Sequence, residues 1–263
     1  MLDMIPLYII IVIFGCVVGS FLNVLIFRIP KGEEFVKTRS HCMTCGYQLK
    51  WYDLIPIISY LSLGGKCRKC KTKLSAQYPI IEISNGLLWV LAAIFAIPSD
   101  LAYEGLITWI LVALMFSALL ALSVIDGKTK EIPFGFNVFI FILGAIRTIL
   151  DSPIWLGVSN WYDHLIGMVS VSLVLLIILL VSGGRAIGGG DVKLMFAAGL
   201  FLGWQNIVMA FFLGCIFGSI IHIIRMKVSG AEKQLAMGPY LSGGIVIASL
   251  FGDWIIDMLF GTI

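Results

Sequence analysis

From Leu106 to Ile125 the chain reads LITWILVALMFSALLALSVI, twenty residues without a charge, and Asp126 follows at once. A hydrocarbon core roughly 30 Å thick takes about 20 apolar residues of α-helix to cross. Inside lipid, backbone N–H and C=O groups find no water, so a spanning run folds as a helix that satisfies them internally. Similar runs recur near 5–27, 79–97, 134–150, 164–182, 192–204, 207–224 and 238–260. Sixty per cent of the residues are hydrophobic and 13% are charged, with a mean hydropathy of +1.03. Such a balance excludes a water-soluble globular domain. The expected fold is an all-α polytopic membrane protein with about eight transmembrane helices. The sixth run, 192–204, is short, as in a broken or tilted element. Fusing 192–224 into one bent helix would leave seven spans and carry the C-terminus to the opposite side. Met1-Leu2-Asp3 has no basic character, so the first run reads as a membrane helix and not as a removable signal peptide.

Charge tests this count. With the N-terminus outside, residues 28–78, 126–133, 183–191 and 225–237 face the cytoplasm. These loops and their immediate flanks hold 17 of the 18 Lys and Arg residues, Arg147 being the exception. Asp3, Asp100, Glu104, Asp151, Asp163 and Asp257 fall on the outer side. So lopsided a distribution sets the orientation by the positive-inside rule and favours eight helices over seven. The chain then divides into a first transmembrane helix (1–27), a cytoplasmic loop (28–78) and a helical membrane domain (79–263).

In this orientation Asp126 ends an inward-running helix. Asp191, after Gly188-Gly189-Gly190, begins an outward-running one. An ionisable residue at a bilayer boundary is a functional-site hypothesis by default, and glycines let another backbone approach it closely. Two carboxylates in hydrogen-bond range share one proton, since both cannot ionise comfortably. The ionised one takes a proton from water while its protonated neighbour polarises a carbonyl. Either aspartate alone also reads as a helix cap or an acid facing interfacial water. The pair in one layer points to peptide hydrolysis without a metal or covalent intermediate.

The 28–78 loop carries Cys42-Met43-Thr44-Cys45 and Cys67-Arg68-Lys69-Cys70, separated by 21 residues. Paired Cys-x-x-Cys knuckles near this spacing supply four thiolates for tetrahedral zinc. Disulfides are the competing reading, and a reducing cytoplasm opposes them. Four thiolates leave no open coordination position, so the expected role is structural. A loop this poor in core-forming residues needs such a staple. Cys16 and Cys215 fall inside membrane helices and read as small apolar residues. Gly15 and Gly19 read as a helix-packing pair. Asn23 reads as packing or as a hydrogen bond to a neighbouring helix. His41 could replace a thiolate ligand, though four cysteines suffice; His164 and His222 have no partner motif. Residues 28–73 hold ten Lys or Arg against Glu33, Glu34 and Asp53. Anionic membrane lipid accounts for that surplus better than nucleic acid, which is not an expected partner.

Taken together these residues resemble the bacterial prepilin peptidases, also called type IV leader peptidases, which are membrane aspartic proteases of the Gly-x-Gly-Asp type. Gly19-Ser20-Phe21-Leu22-Asn23-Val24 is similar to the family's first-helix signature. Ile55-Pro56-Ile57-Ile58-Ser59-Tyr60-Leu61 matches its segment between the knuckles, and Tyr78-Pro79-Ile80-Ile81-Glu82 the entry to its second helix. Asp126 with Ile132-Pro133 resembles the first catalytic motif, and Gly188-Gly189-Gly190-Asp191-Val192-Lys193-Leu194 the second. Gly238-Pro239-Tyr240 is similar to the start of the last helix. One departure is local: Phe134-Gly135 stands where the family usually has Asp or Asn after the Ile-Pro pair.

The resemblance implies a multi-pass protein of the bacterial inner membrane with Asp126 and Asp191 as catalytic residues. Its substrates would be type IV prepilins and pseudopilins, whose short basic leader precedes a hydrophobic helix. Relatives with the knuckle loop also N-methylate the new N-terminus with S-adenosylmethionine, so that cofactor is expected here. Lys69 and Glu82 are the candidate contacts for the methyl donor. Two other classes stand beside this reading. A proton-coupled transporter would place aspartates near the midplane of repeated halves; a zinc-knuckle scaffold would keep the cysteines but would not need the aspartates. Substituting Asp126 or Asp191 separates them.

Overall fold

The computed structural model describes residues 4–97, 103–151, 161–229 and 235–260. Helix α1 covers Ile5–Arg28, α2 Ile58–Ser62, α3 Gln77–Ala96, α4 Tyr103–Thr129 and α5 Phe134–Asp151. They are followed by α6 Trp161–Ser182, α7 Gly189–Leu202, α8 Trp204–Ser229 and α9 Gly238–Phe260. Every apolar run expected from the sequence is a helix, and among the described residues no β-strand forms. Seven of these helices are long and apolar enough to cross a membrane. The exceptions are α2, of five residues, and α7, whose 14 residues rise about 21 Å at 1.5 Å each, short of the hydrocarbon thickness. Gly203 stops it, turning the chain at a φ of 80° that favours glycine. The chain folds as two compact units, residues 1–121 and 122–263.

In the first unit α1 and α3 meet along a seam of small residues. A Cβ on Gly15 would lie 2.8 Å from the Gly86 Cα, and one on Gly19 2.8 Å from the Glu82 Cα. Gly15 and Gly19 are thus packing residues, as expected from their spacing. Polar side chains inside the apolar spans pair with one another, since lipid offers them nothing. The Asn85 amide donates to the Gly15 carbonyl at 2.7 Å, and the Ser117 hydroxyl donates to Asn85 Oδ1 at 2.9 Å. Trp89 Nε1 donates to the same hydroxyl at 2.8 Å. Asn23 donates across the helix pair to the Tyr78 carbonyl at 3.1 Å.

The second unit packs α7 against α5, α6, α8 and α9. Leu194, Met195, Ala198 and Phe201 are all fully buried. A Cβ on Gly199 would collide with the Gly167 carbonyl, which is how closely α6 and α7 approach. At its other end α4 continues one turn past Asp126, closing with Lys130 N–H on the Asp126 carbonyl at 2.8 Å. Lys130 then turns the chain with a φ of 58°, and Pro133 cannot extend a helix backwards because it has no N–H to give.

Candidate functional site

Asp126 lies one turn inside the end of α4, not at its last residue, and is only 4% exposed. Its Oδ2 accepts the N–H of Gly238, the first residue of α9, at 2.8 Å. Asp191 lies in the first turn of α7, where its Oδ2 accepts the Gly188 N–H at 3.3 Å. The helix N-terminus favours a carboxylate at that position. The two motifs touch: a Cβ on Gly190 would meet the Ile132 Cβ at 3.0 Å. Gly190 therefore has to lack a side chain for the Gly-Gly-Gly-Asp turn to seat against Ile132-Pro133. The two carboxylates lie close enough that the charge on Asp126 acts on Asp191. Residues 65 positions apart in the chain thus form one acidic centre within the second unit.

Gly238 is part of this centre, and its chemical role there is not legible in the sequence. A Cβ at this position would lie 2.7 Å from Asp126 Oδ2 and 3.0 Å from its Cβ and Cγ. Only a glycine brings a backbone N–H to that carboxylate. Its signal in the sequence was the Gly238-Pro239 start of the last helix, which says nothing of a partner 112 residues away.

Beside Asp191 a groove of about 290 Å³ runs between α5 and α7. Lys193 lies at its upper end, with its ammonium 5.2 Å from the centre of the Phe134 ring. Further along, Phe141 and Phe196 stack at 5.9 Å. Asn137 lies in the groove wall at 3% exposure, and neither polar atom of its amide has a hydrogen-bond partner. Both α5 and α7 begin at this end, so the groove starts at the level of Asp191 along the chain and runs on between apolar walls, with neither aspartate in its lining.

In the first unit, Cys42, Cys45, Cys67 and Cys70 bring their sulfurs within 4.8 Å of one another. All four are free thiols. The two knuckles are the same turn repeated. Gly46 N–H bonds to the Cys42 carbonyl and Lys71 N–H to the Cys67 carbonyl, with φ of 65° and 59° at these residues, each directly after the second cysteine. The Cys42 and Cys70 sulfurs are 3.8 Å apart. Four sulfurs about 2.3 Å from a central zinc would form a tetrahedron with edges of about 3.8 Å. The thiols do not titrate alike. Cys70 is held down to about 6, first by the Thr72 hydroxyl beside it, and Cys42 is lowered, first by the Cys45 backbone N–H. Cys45 is pushed up to about 11: the Tyr47 backbone works to lower it, and burial with the three neighbouring thiols outweighs that. Four thiolates so close repel one another, and a divalent cation is what lets all four be deprotonated together. The cluster fits a metal ion.

Glu82 is 6% exposed where the loop meets α3. Its Oε2 accepts the Ile57 N–H at 2.7 Å, and the Ser20 hydroxyl bonds to it as well. Lys69 is exposed on the second knuckle. Arg28, at the end of α1, is buried and donates to the carbonyls of Glu34, Thr38 and Arg39 at 3.1, 2.8 and 3.2 Å. It ties the start of the loop together and forms one wall of a cavity of about 350 Å³ with Glu33, Glu34 and His41.

Residues 13–96 match the bacterial peptidase A24 N-terminal domain, and residues 113–223 match the type IV leader peptidase family. The chain is 30% identical to a prepilin leader peptidase/N-methyltransferase of Pseudomonas aeruginosa, over 93% of this chain and 90% of that one. Against the protein of the same name from Aeromonas salmonicida it is also 30% identical, over 95% and 93% of the two chains. For the Stutzerimonas stutzeri protein the identity is 29%, over 92% and 90%. No solved structure matches the chain.

Proposed function

The chain belongs to the type IV leader peptidase family, and from that membership we propose that it removes the leader of prepilins and N-methylates the amine so exposed. The observation that carries the proteolytic half is the acidic centre, two aspartates from separate helices whose motifs meet at Gly190 and Ile132, each aspartate accepting a glycine N–H. Asp126 and Asp191 are its catalytic residues. One of them, ionised, accepts a proton from water as the water oxygen bonds to the scissile carbonyl carbon. Its protonated partner gives its proton to the carbonyl oxygen. When the C–N bond breaks, the departing nitrogen takes the proton then held by one aspartate while a hydroxyl of the gem-diol gives its proton to the other, which returns the centre to its shared-proton state.

The distribution of Lys and Arg supports a cytoplasmic position for 28–78 and for the acidic centre, in a bacterial inner membrane. A basic leader held on that side, with its apolar stem in the bilayer, brings the scissile bond level with Asp126 and Asp191. The groove along α5 and α7 suits the apolar residues that follow the bond. The ion suited to Cys42, Cys45, Cys67 and Cys70 is structural zinc, because the four thiolates complete its coordination. S-adenosylmethionine supplies a methyl group on a cationic sulfur, and the freed amine is the nucleophile that accepts it. For the seat of that donor, the cavity bounded by Glu33 and Glu34 has the complementary charge. Lys69 stays available on the second knuckle, whereas Glu82 serves to hold the loop to α3.

Cleavage of a model prepilin in proteoliposomes tests the central assignment. Asp126→Asn and Asp191→Asn should each abolish leader removal while the helical circular dichroism of the purified protein is unchanged. Near-normal turnover in either variant removes that aspartate from the mechanism.

A further inference from the structure

The knuckle loop carries an apolar ridge that neither the cysteines nor the acidic centre uses. Trp51, Leu54, Ile58 and Leu61 are 77%, 42%, 64% and 70% exposed. Ile58 and Leu61 lie three apart on α2, hence on one face. Trp51 opens a single 3-10 turn, Trp51–Asp53, that packs next to α2. Were the ridge in water it would be an exposed apolar patch of the kind that marks an interaction surface.

Its position along the bilayer normal is fixed by a tether. Ile57 gives its N–H to Glu82 at 2.7 Å, and Ile57 holds a φ of 62°, a conformation a β-branched residue adopts only when its surroundings impose it. Glu82 lies inside the apolar span Gln77–Ala96, five residues past its start and so about 8 Å along the helix axis. On the same helix Ile80 and Ile83, 57% and 45% exposed, flank Glu82 and face outward as lipid-facing residues do. The tether thus sets the ridge at the depth of Ile80 and Ile83, exposed apolar residues on a helix long and apolar enough to cross a membrane. Around it the loop is basic: Lys50, Lys66, Arg68, Lys69, Lys71 and Lys73 are all exposed. The one acid in that stretch, Asp53, is paired to Arg68 at 2.7 Å.

We propose that the segment Leu54–Leu61 is an interfacial membrane anchor. Leu54, Ile58 and Leu61 dip into the leaflet at which α1 ends and α3 begins, and the surrounding lysines rest on anionic headgroups. The anchor pins the metal-binding knuckles to the bilayer surface instead of leaving them on a free loop. It stands on burial, tether and charge, and does not depend on the activity of the protein.

The test uses the full chain in liposomes of phosphatidylcholine and phosphatidylglycerol, with or without phosphatidylcholine brominated at the 6 and 7 positions of its acyl chains. Seven tryptophans are present, so each probe is read as a difference spectrum. Wild type minus Trp51→Phe reports position 51, and Ile58→Trp minus wild type reports position 58. Both substitutions are at exposed sites, and should one variant insert poorly the other probe stands alone. The expected result is that each difference signal falls at least twofold in brominated liposomes and is little affected by aqueous iodide. Signals indifferent to bromine overturn the proposal in either of two ways. Quenching by iodide places the ridge in water; quenching by neither means another part of the chain or a second copy covers it.

Discussion

Gly238→Ala isolates what the last helix does for Asp126. A Cβ added there would lie 2.7 Å from Asp126 Oδ2, where ordinary contact begins at 3.4 Å, so the carboxylate must withdraw by about 0.7 Å. The Gly238 N–H bond of 2.8 Å then stretches to about 3.5 Å, beyond useful hydrogen-bond length. A hydrogen bond to a charged group contributes about 1.5–3 kcal/mol. A misplacement approaching 1 Å at a reacting centre costs up to about 10²-fold in rate. Both figures converge on a kcat lower by about 10- to 100-fold, or about 1.4–2.7 kcal/mol of barrier. KM should change little, because Gly238 holds the acid and not the substrate. Gly238 has no positive φ, so alanine brings no backbone strain to confuse the result. Gly189→Ala is the control, since a Cβ there meets nothing within 4 Å. Initial rates of leader removal in proteoliposomes, measured across substrate concentration, decide the matter. A Gly238→Ala enzyme within about twofold of wild-type kcat, or a Gly189→Ala enzyme just as impaired, would refute the reasoning, for it predicts a difference of at least tenfold.

Replacing Cys42 and Cys45 together by serine should remove roughly one zinc per chain, measured by atomic emission, and should depress methyl transfer far more than cleavage. Equal loss of both activities would instead give the metal a global folding role. Glu82→Ala releases the Ile57 N–H, so amides 54–62 should exchange with deuterium faster by mass spectrometry; unchanged exchange would remove the tether. Gly199→Ala forces a Cβ into the Gly167 carbonyl, and overpacking of about 1–3 kcal/mol should lower the melting temperature in detergent by about 2–12 °C. Asn137→Leu should raise that temperature by a few degrees, because the variant removes a buried amide with no partner; a lower melting temperature would show that the amide is satisfied.

The helices were legible because lipid leaves a spanning backbone no alternative to bonding itself. A run such as Leu106–Ile125 therefore declares its structure locally, and α4 differs from that reading only by a few residues at each end. The knuckles were legible for a related reason. Cys-x-x-Cys in a tight turn brings two sulfurs together within five residues, and the turn with φ near 60° at Gly46 recurs at Lys71. The short α7 was legible as a short run, but its termination at Gly203 depends on a φ that the sequence does not announce.

Sequence alone thus determined the membrane class, the helices, the cysteine pairs and the two aspartates worth watching, all of which follow from composition, run length or spacing. Tertiary structure decided which distant groups those residues meet. Asp126 is held by an N–H from Gly238, Gly190 yields its side-chain space to Ile132, and Glu82 is engaged by Ile57. Each partnership joins chain segments that no local preference links. Its geometry is set by how closely helices approach, and that distance is fixed by packing over whole interfaces, not by any short stretch of the chain.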